Sequence, residues 1–212
     1  MTGDSRRTTI LDITTILWDL GGVLLHFEPE KRLALLSADC GLPTAEVLGR
    51  VWGAGMADAW DRGDYENEAL YDLVKQTLGL KMGYERFLET MLTPFRSNPE
   101  LLEVVDAVLL EIRQSVFTNN SRHFADRMPA LFPDLVSRFD PMIFSCDLHL
   151  IKPNPAAFEA ALQVLEAKPG DVVFIDDSPA NIASAAAIGM TAIRYESPPQ
   201  TEAALRELGL IV

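Results

Sequence analysis

Four stretches of this chain place polar, chemistry-bearing side chains immediately after or between apolar runs. The first is Asp19-Leu20-Gly21-Gly22-Val23, a carboxylate followed by two glycines. Such a carboxylate can serve as a nucleophile, a metal ligand or both, and glycines let backbone amides approach an anion closely. The second is Val116-Phe117-Thr118-Asn119-Asn120-Ser121, which gathers a hydroxyl and several amides around one point. The third is Lys152-Pro153-Asn154-Pro155. Its prolines restrict the backbone before them, and Asn154 is suited to cap a helix that starts at Pro155. The fourth is Asp176-Asp177-Ser178-Pro179-Ala180-Asn181, paired acids with Ser178 as a candidate helix cap.

Each stretch also has a plainer structural reading. Asp19 can cap a turn, Asn120 or Ser121 a helix, Lys152 can be a surface lysine, and the paired acids a solvated turn. Their joint order carries more weight than any one of them. Paired acids beside an anionic substrate repel it unless a cation lies between, and Mg2+ suits carboxylate, water and phosphate oxygens. Together these residue types point to phosphoryl transfer.

The elements that would position these residues can be read from the apolar runs. Strands are expected at 13–18, 113–117, 142–145, 172–175 and 190–194, bounded by polar or glycine residues. Nearly continuous apolar character suggests strands buried on both faces, as in a parallel sheet. Helical patterns fall at 99–112, 155–167 and 179–188, the last with Gly189 as its stop. Strand and helix alternate, so the expected fold class is α/β, a doubly wound parallel sheet. Ligands of such sheets sit beyond the carboxyl ends of the strands, where Asp19, Thr118 and Asp176 fall. Residues 27–94 break the alternation, with helical stretches at 29–40, 44–60, 66–79 and 84–92 and no convincing strand. The expected organisation is a core of residues 1–26 and 95–212 with a helical insert at 27–94.

Composition narrows the partners. The 212 residues carry 18 Lys and Arg against 31 Asp and Glu, a net charge of −13. That charge repels nucleic acid backbones and anionic membranes, so neither is an expected partner. It also repels a phosphorylated substrate at long range, so a phosphate site needs local attraction from a metal, a lysine or amides. No run reaches the roughly 18 apolar residues of a membrane span, and the first residues lack the pattern of a secretory signal. Cys40 and Cys146 match no metal spacing and read as reduced thiols. The expectation is a cytoplasmic monomer or homodimer acting on a small phosphorylated substrate.

These motifs, in this order and over nearly the whole length, resemble the haloacid dehalogenase superfamily, specifically its phosphatase-like branch with a small helical cap. The resemblance implies that Asp19 is the nucleophile, Thr118 the hydroxyl that holds the transferring phosphoryl group, and Lys152 the neutralising cation. It implies a magnesium site made by Asp19, the carbonyl of Gly21, Asp176 and Asp177, and a cap at 27–94. Phosphate and substrate contacts are expected from Gly21, Gly22, Asn119, Asn120 and His26. The stretch Trp60-Asp61-Arg62-Gly63-Asp64-Tyr65, with Asn181, is similar to glucose-1-phosphatase-type sugar-phosphate phosphatases. One departure stands out: most phosphatases of the family carry a second, proton-donating aspartate two residues after the nucleophile, and here that residue is Gly21. A positioned donor contributes about 10²–10⁴-fold in rate. The resemblance therefore implies either a slower phosphatase, with water or a residue such as His26 moving the proton, or a phosphometabolite-binding protein without turnover. A phosphomutase fits less well without that aspartate, and a 2-haloacid dehalogenase fits less well with the paired acids present.

Overall fold

A computed structural model describes residues 13–211 of the protein. Five parallel strands form the central sheet: β1 (Thr15–Trp18), β4 (Arg113–Thr118), β5 (Met142–Phe144), β6 (Val172–Asp176) and β7 (Thr191–Arg194). Their spatial order is β5-β4-β1-β6-β7, with β1 in the middle. A second, two-stranded antiparallel ribbon joins β2 (Leu25–Phe27) to β3 (Phe95–Ser97).

Side chains alternate across the sheet, and the two faces bury separate apolar clusters. Ile16, Trp18, Val116, Val173 and Ile175 pack into one cluster, and Leu17, Phe117, Ile143 and Phe174 into the other. The first face is covered by α6 (Pro99–Asp106), α7 (Arg122–Leu131), the single-turn α8 (Pro133–Val136) and α12 (Pro198–Glu207), through Leu101, Phe124, Met128, Leu135 and Leu205. The second is covered by α10 (Pro155–Leu165) and α11 (Pro179–Ala187), through Phe158, Ala161 and Ala185. Burial on both faces explains why the strands read as unbroken apolar runs. This is the expected doubly wound α/β sheet.

The remaining helices are α1 (Pro29–Cys40), α2 (Thr44–Val51), α3 (Met56–Asp61), α4 (Asn67–Leu78) and α5 (Tyr84–Leu92), with the short α9 (Ser145–Leu148) following β5. Helices α1 to α5 share their own apolar cluster, built from residues such as Leu36, Val51, Trp60, Leu70 and Phe87. Among the described residues, no helix is long and apolar enough to cross a membrane.

Three expectations change. The helix read over 99–112 stops at Asp106. Val108 bridges to Ile211 and the Leu109 amide donates to the Leu210 carbonyl at 3.0 Å, so pairing with the end of the chain overrides the helical pattern. The helix read over 44–60 is two helices, because Gly53 and Gly55 interrupt it and Gly55 adopts a φ of +76°. The ribbon was also not expected. Its strands are three residues each, too short for alternation to show.

Candidate active site

The strand order places the motifs side by side. Asp19 follows central β1, Thr118 ends neighbouring β4, and Asp176 ends β6 on the other side. The parallel register sets Trp18 beside both Val116 and Ile175, so the three residues leave the sheet at nearly one level. The Asp19 amide donates to the Ile175 carbonyl at 2.8 Å, fixing the chain as it exits.

Lys152 joins these strand ends. Its Nζ donates to Asp19 Oδ1 at 2.7 Å, to Asp176 Oδ2 at 2.8 Å and to the Phe117 carbonyl at 2.8 Å. All three ammonium hydrogens are thereby engaged. Burial alone would lower the pKa of Lys152, but the charges of Asp19 and Asp176 hold it above the ordinary lysine value. Burial pushes the Asp19 carboxyl up to about 7, with Lys152 opposing the rise and Asp176 adding to it. The lysine loop is held by Asn119, whose Nδ2 donates to the Lys152 carbonyl at 2.9 Å and whose Oδ1 accepts the Lys152 amide at 2.9 Å. Asn154 accepts the Ala156 amide at 3.0 Å and caps α10, as its place before Pro155 suggested.

Asp176 is fully buried. Besides Lys152, it accepts the Ser178 amide at 2.8 Å and Asn181 Nδ2 at 3.0 and 2.9 Å. Ser178 stands at the N-cap of α11, but its side chain makes no capping bond among the described residues, contrary to expectation; its own amide donates to Asp176. Asp177 is exposed and lines the cavity above the site. Partial desolvation, then the Asp176 charge, raises its carboxyl pKa. Carboxylate oxygens of Asp19, Asp176 and Asp177 lie within 4.8 Å of one another. Gly22, at φ +90°, makes room for this grouping: a Cβ there would lie 2.5 Å from Asp177 Oδ2. This is a hard-oxygen corner of the kind Mg2+ takes, with a glycine where a side chain would fill it.

Thr118 is buried, and its Oγ1 accepts Asn120 Nδ2 at 2.8 Å, leaving its own hydrogen to donate. The Asn120 amide donates to Ser145 Oγ at 3.0 Å. Ser145 Oγ in turn donates to the Asp61 carbonyl at 2.5 Å, tying α3 to the sheet end. A cavity of about 310 Å³ opens over these residues. Asp19, Gly21, Thr118, Asn119, Asn120, Lys152 and Asp177 line one side, and Arg32, Trp52, Trp60 and Asp61 line the helical side.

His26 falls elsewhere, on β2 opposite Arg96 and away from the cavity lining. Trp60 turns its indole N–H to Asn67 Oδ1 at 3.1 Å, so its polar edge is engaged within the helices. Two groups that sequence reading left out of the site face the cavity. Arg32 stacks on Trp52 at 4.6 Å and on Phe27 at 5.3 Å, and its Nε is buried without a hydrogen-bond partner among the described residues. Burial lowers its pKa to about 10, against the pull of Asp61. Asp61 is pushed up to about 7 by burial, with Arg32 opposing. Neither follows a strand, so the feature that singled out the other four stretches was missing.

Comparison with known proteins places the chain. Rat bifunctional epoxide hydrolase 2 is 36% identical over 96 residues, which cover 44% of this chain and 17% of that protein. The chain thus spans less than a fifth of the length of the curated relatives it matches. A HAD-like family hydrolase from Porphyromonas gingivalis has a similar structure, with a TM-score of 0.80 and 25% identity over 92% of this chain and 97% of that one. A HAD family enzyme from Bacteroides thetaiotaomicron, solved with magnesium and inorganic phosphate, shares the fold at a TM-score of 0.76 and 17% identity, covering 87% and 94%. Residues 13–189, which include all four motifs, match the family model described as haloacid dehalogenase-like hydrolase, and the chain belongs to that family.

Proposed function

We propose that this hydrolase is a magnesium-dependent phosphatase acting on a small phosphorylated metabolite through an aspartyl-phosphate on Asp19. The observation that carries the reading is the Lys152 ammonium held between Asp19 and Asp176, with Asp177 left open on the cavity wall. Asp19 and Asp177, with the Gly21 carbonyl, would hold the metal, while Asp176 orients Lys152 with both of its carboxylate oxygens already accepting hydrogen bonds. The Bacteroides enzyme binds magnesium and phosphate in the same fold, which supports the choice of ion. When bound, magnesium supplies positive charge beside the phosphoryl oxygens.

The residues of the chain then have distinct tasks. Asp19 attacks phosphorus in line. Lys152 and the free hydrogen of Thr118 stabilise charge on the phosphoryl oxygens, and Gly21 and Gly22 admit the phosphate close to the backbone. Asn119 and Asn120 act by holding Lys152 and Thr118 in place. This is positioning and electrostatics, the usual means of phosphoryl transfer. Residues 27–94 serve as a cap that covers the phosphate and selects the leaving group. The fold also serves L-2-haloacid dehalogenases, but three clustered carboxylates suit a cation and a phosphate better than a lone anionic haloacid.

The finer reading is a sugar phosphate of the glucose-1-phosphate class, supported by the likeness of residues 60–65. The test is phosphate release from p-nitrophenyl phosphate and from a panel of sugar phosphates, with magnesium and with chelator. Asp19→Asn is expected to remove turnover. Undiminished activity in that variant, or in chelator, would refute the reading.

A further inference from the structure

Breaking an unactivated phosphoester leaves an alkoxide that needs a proton, and a positioned group on the cavity wall supplies it faster than water does. Among the described residues, six titratable groups line it: Asp19, Arg32, Asp61, His123, Lys152 and Asp177. Asp19 meets phosphorus, and Asp177 belongs to the cation corner. Lys152 has all its hydrogens engaged. Arg32 stays charged at neutral pH. His123 Nε2 lies 3.1 Å from the Leu88 carbonyl, an acceptor, so that nitrogen carries the hydrogen. Burial lowers the His123 pKa and keeps the ring neutral, leaving Nδ1 without a proton to give. Gly21 offers none, and a Cβ there would already touch Phe95 at 3.4 Å.

Asp61 remains. It ends α3 on the helical wall, facing the strand ends across the cavity. Its backbone is tied through Ser145 to the Asn120 amide, two residues past Thr118. Gly63, at φ +80°, lets the following turn close onto the Cys146 carbonyl. The backbone of Asp61 is therefore held at a fixed place relative to the end of β4, and its side chain lines the cavity.

We propose that Asp61 is the acid and base of the reaction, a role that rests on the phosphatase reading. In the first step an Asp19 oxygen bonds to phosphorus as the bond to the leaving oxygen breaks. The leaving oxygen keeps that electron pair and takes the Asp61 proton. In the second step water bonds to phosphorus, the bond to Asp19 breaks and returns its pair to the carboxylate, and a water proton passes to Asp61. The surroundings suit both directions. Burial favours the protonated form, Asp58 on the same helix adds to this, and Arg32 from α1 with the Ser121 amide stabilises the ionised form. The other titratable neighbours are the Cys146 thiol of α9, kept protonated by burial, and neutral His123 of α7, which stacks on Trp60.

The experiment compares wild type, Asp61→Asn and Asp61→Glu on p-nitrophenyl phosphate and on a primary alkyl phosphate, with magnesium. p-Nitrophenolate leaves without a proton, so Asp61→Asn is expected to give a burst of one equivalent and then turn over about 10²-fold more slowly. The alkyl ester shows no burst and loses about 10²–10⁴-fold, with Asp61→Glu recovering part of it. In wild type, alkyl ester kcat/KM falls as pH rises through about 7, and Asp61→Asn lacks this limb. Equal loss on both esters without a burst, no loss, or a surviving limb overturns the proposal. Failure of wild type to release phosphate from either ester overturns the phosphatase reading itself. Carbon NMR titration of the Asp61 carboxyl in the free protein is independent of turnover, and a midpoint in the ordinary aspartate range also overturns the assignment.

Discussion

The ammonium of Lys152 and the carboxylate of Asp19 form an ion pair at 2.7 Å in which both side chains are almost fully withdrawn from water. Removing one partner of a buried pair strands the other, at a cost of about 3–5 kcal/mol. Here Lys152→Ala would leave two carboxylates, Asp19 and Asp176, facing each other without a cation. Urea unfolding at pH 8 without metal is expected to show a loss of that size. At pH 5 the loss is smaller, because Asp19 is then protonated.

The acids that make the site also set its pH dependence. Asp19 and Asp61 are each raised to about 7 in the folded protein, above their unfolded value of 3.8. A carboxyl raised on folding contributes stability that is present below its unfolded pKa and is lost as pH rises through the folded one. The metal-free protein is therefore expected to lose stability from about pH 4 to pH 8, on the order of a few kcal/mol. Asp19→Asn flattens the curve while removing activity, and added magnesium restores stability at pH 8 by binding the folded form. Melting temperatures across pH, with and without magnesium, check both signs.

Gly22 is needed for a steric reason. Its positive φ strains any other residue, and an added Cβ would collide with Asp177 Oδ2 at 2.5 Å. Gly22→Ala should displace that carboxylate and weaken magnesium binding about 10–100-fold, the range seen when support for a metal ligand is lost. Isothermal titration with magnesium measures it, and far-UV dichroism confirms that the fold is kept.

Much of this site was legible in the sequence for a physical reason. In a sheet buried on both faces the first polar residue after an apolar run marks the strand end, so Asp19, Thr118 and Asp176 could be placed without coordinates. Lys152 was legible through the prolines and the Asn154 cap that fix its loop. Asn119 was legible only as a hydrogen-bonding residue, since its clamp on Lys152 joins residues 33 positions apart. Arg32 carries no local signal either, and Asp61 was marked only by the likeness of residues 60–65, which gave it no role. They lie on short helices among other charged residues, and only the folding of those helices over the sheet end sets them apart. The helix read over 99–112 failed for a related reason, because its last residues pair with the far end of the chain.

The contact between α3 and α9 yields the last prediction. Gly63 places its backbone so close to α9 that a Cβ would lie 2.8 Å from the Cys146 carbonyl, which is backbone and cannot swing aside. Its φ of +80° adds roughly 1 kcal/mol of strain for alanine. Gly63→Ala should therefore lift the turn after α3 from α9 and stretch the bond between Ser145 Oγ and the Asp61 carbonyl. If Asp61 delivers the proton, the displacement slows hydrolysis of alkyl phosphates more than cleavage of p-nitrophenyl phosphate. A displacement of about 1 Å in a catalytic group is enough for about a 10²-fold loss. Ser145→Ala removes the tether without the clash, and should shift the same ratio of rates in the same direction by a smaller factor. Steady-state rates on the two esters, with a thermal melt for each variant, separate this effect from general destabilisation, which would lower both rates alike.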